Sequence, residues 1–357
     1  MRLVVDCRYV RRDGRHDGIS RYSAGITAAL GRLVPLTMLI DDERQLRLLP
    51  DLPWHRIAPP TRLGEPWIPR AVNRLRPDVV FCPLQTSGSI GRRYGLVLTL
   101  HDLIYYRHRT PPAEFSWWVR LGWRLLYLSY LPQRLLLRRA DEVVTVSATV
   151  EGEIREHRLF RGRVTVVPNA ADAPPMAAAA PGPRERSIVY MGAFIAYKDV
   201  PTLVRAAALL PGWTLHLASR IGAGERAALE QHAAGARLVF HDGVDEAEYA
   251  ALLDRATALV SASRDEGFGL PVVEAMARGV PVVLTDVPIF REVGGAAALF
   301  APAGDAGAFA AAIAGLEDPE EWARRSAASL EQAGRYGWDA SARRLLPVLE
   351  RVAARRR

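Results

Sequence analysis

Short, continuous apolar runs punctuate this chain at regular intervals, and longer stretches of helical periodicity separate them. In the first half they predict strands at Leu3–Asp6, Leu36–Ile40, Val79–Cys82, Val97–His101, Val143–Val146 and Val164–Val167. A strand with one wet face would alternate apolar and polar residues. Runs without alternation, each followed by a helix, belong to parallel strands covered on both faces. After Ala170 the pattern stops, and the stretch to Pro183 carries four Pro and no periodicity, which predicts a linker. It then restarts with strands at Ser187–Met191, Thr214–Ala218, Arg237–His241, Ala258–Val260 and Val280–Leu284. The expected class is α/β, with two Rossmann-like, doubly wound domains in tandem. Their expected limits are 1–172 and 185–335, joined by an Ala/Pro-rich linker at 173–184 and followed by a closing segment at 336–357. Such sheets bind ligands beyond the carboxyl ends of their strands, so an interdomain cleft is the expected site and its residues should follow strands directly.

The length of 357 residues agrees with two domains at about 100–200 residues each. Charge is uneven: residues 1–180 hold 27 Arg against 17 acids, whereas the remainder holds 20 basic residues against 22 acids. The first half therefore carries +10 and the remainder −2 of the net +8, which predicts an anionic partner for the first half. Of 47 basic residues, 46 are Arg and only Lys198 is Lys. Two Cys, at 7 and 82, exclude a disulfide scaffold and lie too far apart for a metal knuckle, so a reducing cytoplasm is expected. The opening Met1–Asp6 reads as a buried strand and not as a signal peptide. Leu121–Leu137 is broken by Arg124, Pro132 and Arg134 and falls short of the ~20 apolar residues a spanning helix needs.

The most informative segment runs from Ser261 to Val280, where a strand leads through a Gly-rich loop into a helix with Pro271 in its first turn and Gly279 after its end. The amides of Phe268, Gly269 and Leu270 would lie at the positive helix end, a place for a diphosphate. Glu266 and Glu274 stand eight apart across the loop and early helix, although a carboxylate near a helix start also serves simply to complement the dipole. Glu266 through Glu274 resembles the Glu-x7-Glu motif of retaining family-4 glycosyltransferases, which have the GT-B fold of two facing Rossmann-like domains. Gly279-Val280-Pro281-Val282-Val283 and Arg291-Glu292-Val293-Gly294-Gly295 resemble the continuation of the same family. Asp17-Gly18-Ile19-Ser20-Arg21-Tyr22 resembles the family's Gly-rich loop after the first strand, with Ser20 in place of one Gly. His101-Asp102-Leu103 resembles the His-Asp-Leu of mannosyltransferase-like members, in which the His faces the donor sugar.

The resemblance implies roles. Glu274 would accept from ribose hydroxyls, the backbone around Val244 would contact the base, and Glu266 with the Phe268–Leu270 amides would hold the transferred sugar. Gly192, Ser263 and Gly18 would line the donor, and His101 would reach in from the first domain. Lys198 would neutralise the diphosphate; the Arg that usually follows Gly192 is Ala193 here, and Arg220 is the candidate replacement. In this fold the closing segment is a helix that crosses back to the first domain. Catalytic roles thus fall to His101, Lys198 and Glu266. No metal and no bound cofactor is expected, because Asp-x-Asp is absent from the sequence and the positive charge would come from Lys198 and the helix end. A P-loop and a Gly-x-Gly-x-x-Gly after the first strand are absent as well, which argues against nucleotide hydrolysis by a P-loop and against a dinucleotide oxidoreductase.

The expected function is retaining, metal-independent transfer of a sugar, mannose from GDP-mannose by preference, to a hydroxyl of a glycan or lipid-linked acceptor. The rivals are a sugar-nucleotide epimerase or hydrolase on the same fold and a non-catalytic nucleotide-sugar-binding protein. Nucleic acid is not an expected partner. Residues 105–139 interleave Trp117, Trp118, Trp123, Tyr127 and Tyr130 with Arg. That pattern suits either a core helix pair with Arg on its wet face or a peripheral contact with the inner face of the cell membrane.

Overall fold

A computed structural model describes residues 1–14, 17–60, 64–110, 116–171 and 185–355. The expected linker at 173–184 lies outside the described residues. The chain forms two compact units, Met1–Ala170 with Trp338–Arg357, and Ala171–Gly337.

The first unit is built on β1 (Leu3–Asp6), β2 (Leu36–Ile40), β3 (Trp54–Arg56), β4 (Val79–Cys82), β5 (Gly95–Leu100), β6 (Glu142–Thr145) and β7 (Val164–Val166). All pairings are parallel and the order is β3-β2-β1-β4-β5-β6-β7. The continuous apolar runs are buried at every position of β1, β4, β5 and β6, as strands covered on both faces must be. β3 was not expected: its Trp-His-Arg is exposed throughout and joins only the sheet edge, so no apolar run announces it.

The second unit carries β8 (Ser187–Tyr190), β9 (Thr214–Leu217), β10 (Arg237–Phe240), β11 (Ala258–Ser261), β12 (Val282–Thr285) and β13 (Leu299–Ala301), again all parallel, in the order β10-β9-β8-β11-β12-β13. β13, a second short edge strand, was also unforeseen. The strand expected from Val280 begins at Val282 because the preceding helix Leu270–Ala277 claims the residues before it. Gly279 N donates to Met276 O (2.9 Å) and Val280 N to Ala275 O (3.0 Å), a Schellman closure that uses Gly279 at φ +68°. The core packs Leu203, Val204, Leu215, Val260, Val283, Phe309 and Ile313 between sheet and helices. Full burial of each such side chain stabilises the unit by about 1.5–3 kcal/mol.

The helix Trp338–Ala354 packs within the first unit. Ser341 Oγ donates to Pro168 O (2.7 Å), and Arg351 makes two bonds (3.1 and 2.7 Å) to the buried Glu142 carboxylate. Trp338 lies so close to the helix Gly18–Gly31 that a Cβ on Gly25 would stand 2.2 Å from its ring.

Candidate functional site

In the second sheet the winding reverses between β8 and β11, and in a doubly wound sheet ligands bind outside the strand ends at that reversal. The loops that leave these two strands are joined there. Arg264 N donates to Tyr197 O (2.8 Å), which fixes the β11 loop against the short turn Ala196–Lys198. Two ion pairs of opposite polarity then bridge the loops. The Lys198 ammonium pairs with the Glu266 carboxylate. One residue along, Asp199 Oδ2 accepts from Arg264 Nε (3.0 Å) and Nη2 (2.8 Å). Lys198 and Glu266 are 14% and 16% exposed, so water screens the pair weakly while an anion can still reach it. The Lys198 ammonium also lies 5.4 Å from the centre of the Tyr197 ring.

The backbone at Asp199 is left-handed (φ +47°) although the next residue starts the helix Val200–Ala208. An Asp at this position commonly caps the following amides. Here the side chain makes no cap bond and is spent on Arg264.

β11 continues through Ser263, whose hydroxyl donates to Asp265 O (2.8 Å), to Gly269 at φ +93° and the helix Leu270–Ala277. Phe268 is buried, with its ring edge-on to Tyr336 at 5.4 Å, and so anchors the loop at the helix entrance. Pro271 has no N–H and Val272 N is bonded to Gly269 O (3.0 Å); the expected amide set of Phe268, Gly269 and Leu270 lies ahead of both. Glu274 is buried in the second turn of the helix.

On the other side of β8, Gly192 N donates to Ser219 Oγ (3.0 Å), which in turn contacts Met191 Sδ (3.1 Å). Arg220 follows Ser219 and lays its stem along Gly243: a Cβ on Gly243 would stand 2.7 Å from Arg220 Cγ, and φ there is +97°. The half-buried Val244 comes next, so Arg220 and Val244 share one corner of the β8, β9 and β10 loops. Ala193 is exposed, and its carbonyl accepts from the Tyr190 hydroxyl (2.8 Å).

Gly18 and His101 belong to the first unit. Gly18 opens the helix Gly18–Gly31, capped by Asp17 Oδ1 accepting from Ser20 N (2.8 Å). His101 leaves β5 with Nε2 on Pro83 O (2.8 Å) and its ring edge-on to Tyr22 at 4.8 Å. Burial lowers its pKa, favouring a neutral imidazole. At the end of β1, Arg8 is buried between Asp6 (2.7 Å) and Glu65 (2.8 Å).

The second unit thus pairs Lys198 with Glu266 between the loops that leave β8 and β11, with Ser263 buried in the β11 loop and Gly192, Arg220 and Val244 on the adjoining loops. Sequence reasoning missed Arg264, Asp199 and Ser219. Arg264 and Asp199 each neighbour a residue already singled out, but nothing short of their pairing across 65 positions distinguishes them. Among the described residues no group of three or more His, Cys, Asp or Glu is placed to hold a metal ion.

Comparison with known proteins agrees with this architecture. Residues 26–173 match the family described as Glycosyltransferase Family 4, and residues 185–318 match Glycosyl transferases group 1. A glycogen synthase of Mycobacterium tuberculosis is 32% identical over 244 residues, covering 63% of this chain and 57% of that protein. An MMP α-(1→4)-mannosyltransferase of Mycolicibacterium hassiacum is 29% identical over 281 residues, covering 73% and 66%. The chain therefore spans a little over half the length of the first of these relatives. Among solved structures, sucrose-phosphate synthase from Thermosynechococcus elongatus superposes with a TM-score of 0.74 at 22% identity, over 99% of this chain and 100% of that one. With both halves matched and two doubly wound units in place, the chain belongs to the group 1/family 4 glycosyltransferases and has their GT-B fold.

Proposed function

We propose that this protein transfers a glycosyl group from a nucleoside-diphosphate sugar to an acceptor hydroxyl, with retention at the anomeric carbon and without a metal. The observation that carries the reading is the Lys198–Glu266 pair at the β8/β11 reversal, a cation for a diphosphate beside a carboxylate for sugar hydroxyls. In the reaction the bond between the anomeric carbon and the phosphate oxygen breaks, and its electron pair leaves on that oxygen. The acceptor oxygen bonds to the same face of the carbon and gives its proton to the departing phosphate. Lys198, Arg220 and the start of the helix Leu270–Ala277 would stabilise the charge that gathers there. Glu266 would orient the sugar, and Glu274 and the Val244 backbone the nucleoside. His101 and Gly18 would serve the donor from the first unit.

Mannose from GDP-mannose is the preferred donor reading, supported by His101-Asp102-Leu103, by Ala193 and by the relative named as a mannosyltransferase. A glucosyl donor is the second reading, because the M. tuberculosis relative is named as a glycogen synthase. The acceptor would be a hydroxyl of a glycan or of a lipid-linked sugar. The test is incubation with GDP- and UDP-sugars with and without a lipid extract, scored for glycosylated product and released nucleotide. Acceptor-dependent product supports transfer. Donor consumption without acceptor would favour an epimerase or hydrolase, and binding without turnover a sugar-nucleotide-binding protein.

A further inference from the structure

The helix Trp117–Leu126 has no buried residue, although most of its side chains are apolar. At 3.6 residues per turn, Trp117, Trp118, Leu121 and Leu125 share one face and Val119 and Trp123 lie opposite. The narrow side turns inward: Trp123 packs its ring against Tyr105 (4.9 Å) and Tyr127 (4.8 Å). The broad apolar face is turned to solvent, with Trp117 77% exposed, Trp118 65%, Leu125 59% and Leu121 51%. The helix Leu131–Leu137 repeats the arrangement: Leu137 and Gln133 are buried, while Leu131 and Leu135 are exposed, as is Leu128 in the turn between the helices. This excludes the reading of the segment as a core helix pair with only Arg on its wet face, since the core side is the minor one. Residues 111–115 lie outside the described residues.

An exposed apolar face of this extent marks a contact surface. Its charge selects the partner. From Trp117 to Arg139 the sequence holds Arg120, Arg124, Arg134, Arg138 and Arg139 and no acid, and Arg124, Arg138 and Arg139 are exposed. A twofold contact with a second copy would set these arginines against one another. Among the described residues no helix is long and apolar enough to cross a membrane. Trp and Leu beside Arg, on helices too short to span, suit a helix pair lying in the interface plane of an anionic bilayer. The rings would sit at headgroup depth and the guanidinium groups against lipid phosphates.

We propose that the two helices Trp117–Leu126 and Leu131–Leu137 form a docking surface for an anionic lipid bilayer. The test is co-sedimentation of the full chain with phosphatidylcholine vesicles and with vesicles that also contain phosphatidylglycerol, followed by tryptophan emission. Binding to the anionic vesicles, a blue shift, and weakening with salt are expected. W117S/W118S, at exposed positions, should keep the thermal midpoint and bind about tenfold more weakly or worse. R138E/R139E should lose on the order of fivefold or more per charge on anionic vesicles. Absence of sedimentation by the folded wild type would overturn the proposal. So would W117S/W118S binding as tightly as wild type, or acting only by dissolving a self-association.

Discussion

The Lys198 ammonium lies against the Glu266 carboxylate, so the cation proposed for the diphosphate is neutralised at rest by the group proposed for the sugar. A phosphate entering this crevice must take Lys198 from Glu266, which frees the carboxylate as the donor arrives. Glu266→Gln removes the competitor and an orienting group together. We expect GDP or UDP, whichever the wild type binds, to bind about fivefold more tightly, by the loss of a charged hydrogen bond that opposes it. Transfer should fall on the order of 10²-fold or more. Isothermal titration beside a turnover assay reads both, and parallel changes in the two would contradict the exchange.

The neighbouring pair holds the loops. Arg264→Ala leaves Asp199 in a left-handed conformation with its restraint removed, a backbone state that costs about 1–3 kcal/mol where nothing enforces it. The expected result is a thermal midpoint lower by a few degrees and a raised KM, both partly restored by Asp199→Gly. Unchanged values in Arg264→Ala would show that the pair is incidental.

Gly25→Ala tests the packing of the helix Trp338–Ala354. A methyl group 2.2 Å from the Trp338 ring forces the ring or the helix aside, an overpacking cost of about 1–3 kcal/mol or more. The melting of the first unit should fall by about 2–12 °C. An unchanged melting curve in Gly25→Ala would show that the Trp338 ring moves aside without cost.

Much of the fold is legible because it rests on burial. Val79–Cys82 is four consecutive apolar residues, and such a run has one economical use in an α/β chain. Trp54–Arg56 shows the limit: an edge strand needs only backbone partners, so its side chains carry no signal. The site divides in the same way. Lys198 and Glu266 stand in local motifs beside strand ends, whereas Arg264 meets Asp199 by folding alone. The helix Trp117–Leu126 marks a third limit, since periodicity reveals an apolar stripe without telling whether core or solvent receives it.

Acid should destabilise both units. Burial lowers the pKa of His101; it also lowers that of His216 and His241, whose Nδ1 and Nε2 lie 2.9 Å apart, and His241 further disfavours charge on His216. A His with a folded pKa below its unfolded value of about 6.5 contributes stability that is present above that pH and lost as pH falls toward the folded value. The thermal midpoint should therefore drop on acidification below about pH 6.5, and His241→Asn should flatten the part due to the second unit. A midpoint that rises on acidification, or a slope untouched by His241→Asn, would contradict this.

Lys198, the one lysine of the chain, is proposed to grip a nucleotide diphosphate at the β8/β11 reversal. Titration of GDP and UDP into wild type and Lys198→Ala, with Lys198→Arg as the charge-preserving control, measures it directly. The wild type should bind one nucleotide, and Lys198→Ala should lose at least about tenfold in affinity, with a melting temperature lower by a few degrees because the Glu266 carboxylate is left unpaired. Recovery in Lys198→Arg should be incomplete, because a planar guanidinium does not replace a compact ammonium. Equal affinity in wild type and Lys198→Ala would contradict this role.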